Sequence, residues 1–174
     1  MTMERLWAGW RSSYVSDATA TGDHEECFLC TVRGLDEGAA GVEIVAPSTL
    51  VLERTSTTLT VMNLYPYGSG HLLIAPTRHE PDLDGLDDDE AIEVMLAIRR
   101  GVRAVRAAYS CDGVNVGFNL GRAAGAGIPG HLHAHVLPRW TGDTNFMTAI
   151  AETRVLPESL AEGWQKLHAV WPVR

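Results

Sequence analysis

Cysteine is scarce in this chain. Three in 174 residues is an odd and sparse set, which excludes the disulfide framework of a small secreted domain. Long apolar runs are missing too. No window reaches the roughly 18 apolar residues that a membrane span needs, and the opening MTMERLWAGW has no basic segment followed by an apolar signal core. A cytoplasmic protein without a membrane partner is therefore expected. Positive charge is in short supply: 14 Lys and Arg against 22 Asp and Glu leave a formal net charge of −8. That balance argues against a nucleic-acid partner, and an anionic ligand would need backbone N–H groups and a few local cations. Internal repeats and low-complexity linkers are absent as well. With 45% hydrophobic residues, the chain is long enough for one domain with a full core. It divides into an aromatic arm over 1–26, a core over 27–140 and a C-terminal extension over 141–174 that ends in a helix.

What is present in excess is histidine in one place. His131, His133 and His135 alternate with Leu132, Ala134 and Val136, the period of a strand. Such a strand presents three imidazoles on one face and a core-seeking surface on the other. A rise of about 3.3 Å per residue puts His131 and His135 on the order of 13 Å apart. One metal ion cannot take all three rings; two neighbours could share one, leaving the third another task. A row of titratable rings costs stability unless something uses it.

The rest of the chain supplies a setting. Leu6, Trp7, Trp10, Arg11 and Tyr14 give the arm an aromatic, basic start, suited to packing on the domain or across a dimer interface. Cys27-Phe28-Leu29-Cys30 follows. It reads as half of a zinc site, a redox pair or two buried thiols; no thioredoxin-like pattern surrounds it, and distant histidines strengthen the zinc reading. Gly34 to Gly41 is a turn-rich connection. Short β-like runs cover Glu43–Val45, Leu50–Glu53 and Leu59–Leu64, and after the turn Tyr65–Gly70 another runs His71–Ala75 and closes at Pro76. Short strands joined by short turns predict an antiparallel sheet. Asp87 to Glu90 mark a helix start. Ile92, Met95, Ile98, Val102, Val105 and Tyr109 then define a long amphipathic helix, with Arg99, Arg100, Arg103 and Arg106 as its solvated face. Val114–Leu120 reads as a strand. Gly121–Gly130 is a glycine-rich loop whose backbone can approach a ligand closely. Gly142–Asn145 is a turn, and Leu156–Leu160 open a terminal helix reaching about Trp171, with Trp164, Leu167, His168 and Trp171 on one face. The fold class is α+β: about five antiparallel strands, a long helix and a C-terminal helix.

The His131-x-His133-x-His135-Val136-Leu137 pattern resembles the histidine triad superfamily of nucleotidyl hydrolases and transferases. Asn63 through His79, Gly117 through Met147 and the opening Arg5–Arg11 are similar to its bacterial branch of diadenosine tetraphosphate hydrolases and phosphorylases. The resemblance implies that His133 is the nucleophile and forms a nucleotidyl-histidine, and that His135 and His71 contact the phosphate. It implies Asn63 at ribose hydroxyls, and Asn119 with the backbone of Gly125 and Gly127 at phosphate. It assigns Cys27, Cys30, His79 and His131 to a structural zinc, with no organic cofactor, and a homodimer to the assembly. Two departures stand out. Gly127-Ile128-Pro129-Gly130 occupies the place of a polar Ser, Thr or Gln, a duty that backbone N–H groups or Arg122 would take over. Ala134 stands where a bulkier residue is common. The activity implied is cleavage at the α-phosphate of an adenine-type nucleotide polyphosphate or nucleotidyl ester. Alternatives are a phosphorylase using inorganic phosphate, a silent nucleotide-binding module, and a zinc hydrolase built on two triad histidines.

Overall fold

The computed structural model describes residues 27–34, 50–143 and 158–172. The aromatic arm, the run Glu43–Val45, most of Gly34–Gly41 and residues 144–157 lie outside the described residues. Five strands form one sheet in the order β1-β2-β3-β5-β4: β1 Val51–Arg54, β2 Thr58–Met62, β3 Leu72–Pro76, β4 Gly113–Phe118 and β5 Ala134–Arg139. Every neighbouring pair is antiparallel, as the short strands and tight turns require.

The two central strands β2 and β3 are buried along their whole length, because both faces of the sheet are covered. On one face lie α2, Asp88–Tyr109, and α3, Leu160–Ala169. Met62, Leu72, Ile74, Ala134 and Val136 meet Val94, Ala97, Ile98, Ala104, Val105 and Leu167 there. On the other face the short helix α1, Phe28–Gly34, brings Leu29 and Val32 onto Leu59, Val61, Leu73 and Ala75. The period-2 alternation of β3 thus feeds two separate cores.

Both longer helices begin with a reciprocal capping box. Asp87 bonds the Glu90 amide while the Glu90 side chain returns to the Asp87 amide, and Ser159 and Glu162 do the same for α3. In mid-helix, Gly101 lets α2 lie close on the sheet: a Cβ there would stand 3.1 Å from Ile74 Cδ1.

The structure revises several expectations. Ile92 and Met95 are 56% and 59% exposed. Ile98, Val102, Val105 and Tyr109 pack as expected, and the buried face extends one step round the helix over Val94, Ala97, Gly101 and Ala104. Arg100 leaves the solvated row to pair with Glu53 at 2.9 Å. The terminal helix begins at Leu160, because Ser159 caps it, and ends at Ala169. The histidine row starts before its strand, since β5 opens only at Ala134. Pro76, which ends β3, has no N–H to continue the ladder, and the Leu132 amide donates instead to the Glu80 carbonyl at 2.6 Å. The side-chain alternation nevertheless persists, with Leu132, Ala134 and Val136 all buried.

Candidate active site

β5 and β3 lie side by side with Leu73 opposite His135, and His71 stands one residue before β3. This register brings three histidines together at the end of the sheet. His71 is fully buried and His133 is 5% exposed. The rings of His71 and His135 are 5.1 Å apart between centroids, and those of His133 and His135 are 5.0 Å apart.

Hydrogen bonds to groups of fixed polarity assign the ring protons. His133 Nδ1 lies 2.8 Å from the carbonyl oxygen of His131. A carbonyl only accepts, so Nδ1 carries the hydrogen and Nε2 keeps its lone pair. At His71 the order reverses. The backbone N–H of Tyr67 donates to its Nδ1 at 3.0 Å, and Asn63 Nδ2 approaches the same atom at 3.3 Å. His71 Nε2 therefore holds the hydrogen and donates to His135 Nδ1 at 2.9 Å. Neutral His135 is left with its hydrogen on Nε2; Asn119 Nδ2, 3.4 Å away, is also a donor, so this contact is not a hydrogen bond in that tautomer.

The site thus holds one imidazole with a lone pair on Nε2 beside another with its hydrogen on Nε2, a pairing that can serve nucleophilic attack and proton donation. Burial keeps both neutral. It lowers the pKa of His133, and burial first, with the neighbouring charge of His133 second, pushes His135 down to about 4.

The binding residues expected from sequence are placed less simply. Asn63 faces His71, and its Oδ1 accepts the Tyr65 amide at 3.0 Å, so both ends of its side chain organise the turn into His71. Asn119 Nδ2 donates to the Gly125 carbonyl at 3.4 Å and lies beside His135. The N–H of Gly125 closes on Arg122 O within the loop at 2.9 Å, so Gly125 meets the site through its carbonyl. Gly127 lies in the same loop, half-buried.

Cys27, Cys30, His79 and His131 form a second cluster behind the first, their ligand atoms all within 4.8 Å of one another. Cys27 Sγ is 3.4 Å from His131 Nδ1, and Cys30 Sγ is 3.2 Å from His79 Nδ1 and 3.6 Å from His131 Nδ1. A tetrahedral zinc with bonds of about 2.0–2.3 Å sets its ligands roughly 3.3–3.8 Å apart, so the donor set fits that ion in type and span. His131 is in the tautomer required: Nε2–H donates to Pro76 O at 2.9 Å, which leaves Nδ1 turned to the sulfurs. Burial pushes His131 down to about 4 and lifts the Cys30 thiol to about 11, with Cys27 adding to the rise at Cys30.

His131 belongs to both clusters, by its ring to the sulfurs and by its carbonyl to His133. The histidines are legible in the sequence, whereas Tyr65–Gly70 reads only as a turn, although Tyr67 supplies the amide that donates to His71. Pro76 O and Glu80 O are not legible, because backbone acceptors leave no mark in a side-chain pattern.

Residues 43–142 match the family described as HIT domain. The chain is 33% identical over 169 residues, 97% of its length and 85% of the relative's, to the AP-4-A phosphorylase of Mycobacterium tuberculosis. It is 31% identical over 93 residues to the asymmetrical bis(5'-nucleosyl)-tetraphosphatase of Schizosaccharomyces pombe, about half of each chain. Among solved structures it shares its fold with a Zn-bound histidine triad family protein from Mycobacterium smegmatis. There the TM-score is 0.63 at 24% identity, covering 83% of this chain and 92% of that one.

Proposed function

The chain belongs to the HIT domain family, and from that membership we propose that it is a nucleotidyl hydrolase or transferase acting at the α-phosphate of a dinucleoside polyphosphate-like substrate. The observation that carries the reading is the pairing of ring protons: the lone pair of His133 Nε2 beside the N–H of His135 Nε2. His133 Nε2 attacks the α-phosphorus. A P–N bond forms, the P–O bond to the leaving polyphosphate breaks, and the nucleotide stays on His133. His135 donates to a phosphate oxygen as charge develops there, and His71 holds His135 in that state. Asn63, Asn119, Gly125 and Gly127 are assigned to the nucleotide and its phosphates.

Water as second acceptor makes the enzyme a hydrolase; inorganic phosphate makes it a phosphorylase and releases a nucleoside diphosphate. The similarity over nearly the whole chain to a protein named AP-4-A phosphorylase favours phosphate. A structural zinc is assigned to Cys27, Cys30, His79 and His131, where thiolates and imidazoles close the coordination and tie α1 to the sheet. No organic cofactor enters this scheme. Exposed Ile92 and Met95 on α2 and Val116 on the edge strand β4 support a homodimer. No helix among the described residues is long and apolar enough to cross a membrane. Three cysteines outside any disulfide and the acidic balance support a cytoplasmic enzyme that binds no nucleic acid.

The test is intact-protein mass spectrometry after brief incubation with diadenosine tetraphosphate, quenched without acid because a phosphoramidate is acid-labile. The parent protein gains an adenylyl mass and His133→Ala does not; turnover then depends on added phosphate if the phosphorylase form holds. Nucleotide binding with neither adduct nor turnover would instead identify a silent binding module.

A further inference from the structure

One side chain touches both donor histidines without having been assigned any task. The ring of Tyr67 lies 4.7 Å from His71 between centroids, tilted by 39°, and 5.6 Å from His135, nearly parallel to it at 21°. His133 stands edge-on to the same imidazole at 69°. His135 is therefore gripped between a stacked ring and a perpendicular one. Tyr67 is 38% exposed while His71 is fully buried, so it forms the outer wall of the pair. Its backbone acts as well. The Tyr67 amide is a donor that cannot reverse, and it feeds His71 Nδ1 at 3.0 Å. With Asn63 Nδ2 at the same atom, it leaves the hydrogen of His71 on Nε2, which donates to His135 Nδ1.

We propose that Tyr67 is the positioning residue of the His71–His135 pair, its amide fixing which nitrogen of each ring bears hydrogen and its ring fixing the imidazole planes. The inference rests on the nucleotidyl-transfer reading for its kinetic arm only. Rotating an imidazole about χ2 swings Nε2–H away from the oxygen it must meet, and a displacement of about 1 Å at a reacting group costs on the order of 100-fold. Transition-state donation is lost in such a case while ground-state binding survives, so the effect falls on kcat.

Tyr67→Ala removes the ring and keeps the amide. It should lower kcat about tenfold or more with KM within about twofold of the parent, and Tyr67→Phe, which restores the ring alone, should rescue kcat to within about threefold. Tyr67→Leu, closer in volume, carries the test if the alanine variant does not fold. An unchanged kcat, a loss confined to KM, or failure of Tyr67→Phe to rescue would each overturn the proposal.

A second readout needs no substrate. Long-range 1H–15N spectra of the full chain should show His71 and His135 as single Nε2–H tautomers in the parent. In Tyr67→Ala the His135 nitrogens should move toward the mixed-tautomer average as the 2.9 Å bond opens part of the time. Parent rings in the Nδ1–H form, or nitrogen shifts that do not respond to Tyr67→Ala, would overturn it. If the parent forms no adduct and turns over no nucleotide, the activity reading fails while these spectra still decide the role of Tyr67.

Discussion

Replacing Cys30 by alanine removes one corner of the cluster behind the active site, and the structure sets the size of the effect. The closest donor contacts, 3.2–3.6 Å, already match a tetrahedral ion, so little rearrangement subtracts from the binding energy. Structural zinc sites bind with roughly 10–16 kcal/mol. One ligand of four then accounts for on the order of 3 kcal/mol, about a 100-fold loss of zinc affinity. At saturating metal the same difference lowers the melting temperature by about 6–12 °C for a domain of this size. Proton release gives a second magnitude. The Cys30 thiol, lifted to about 11, must ionise to bind, whereas His131, held down at about 4, is already neutral. Cys30 alone should thus make zinc affinity rise about tenfold per pH unit between pH 6.5 and 8.5. The assay is competition with a chromophoric chelator across that range, paired with calorimetry of parent and Cys30→Ala with and without chelator. A parent protein that takes up no zinc, an affinity flat with pH, or a variant that binds as tightly would refute the assignment.

Two further outcomes follow from burial and backbone geometry. In metal-free protein, the His131 and His135 rings should stay neutral to well below pH 6, because the folded pKa of each is about 4 against about 6.5 unfolded. The unfolded chain then binds more protons as pH falls from about 6.5 to 4, so stability declines through that window and is indifferent to these rings above it. NMR titration reads this directly, and midpoints near 6.5 would contradict it. With burial lowering His133 as well, the acid limb of kcat/KM should lie below pH 6.5. Gly70→Ala should destabilise by about 2–4 kcal/mol, from a left-handed φ of +69° and a Cβ that would clash with one edge of the Tyr109 ring; an unchanged urea midpoint would refute that.

Much of this architecture is legible in the residues, and for identifiable reasons. Strands and helices announced themselves where burial follows their period: Leu72 and Ile74 against Leu73 and Ala75, and a helix start marked by Asp87 and Glu90. Cys27, Cys30, His79 and His131, grouped by the family resemblance, lie together at one locus. On α2 the expected stripe holds at Ile98, Val102, Val105 and Tyr109 but not at Ile92 and Met95, which are apolar and keep the same period yet stand exposed. Arg100 could not be separated from its row without knowing that Glu53 lies opposite it. The three-histidine row looked like one strand because alternation outlasts the hydrogen-bonded ladder, which stops where Pro76 offers no N–H. The division of labour between His131 and His133 depends on a carbonyl direction, which no side-chain spacing encodes.

The two cores differ greatly in size, and that asymmetry has a dynamic consequence. Among the described residues, the face under α2 and α3 carries a broad apolar layer, while the face under α1 is covered by one seven-residue helix with two fully buried side chains. A layer so thin has little cooperative strength of its own, so its opening free energy should sit well below that of the whole domain. Amide hydrogens on α1 should exchange through sub-global openings that leave α2 protected. Because His131 spans the seam, its carbonyl carries each such opening to the ring of His133. Grip on the back layer then becomes a control on how long His133 keeps its hydrogen on Nδ1.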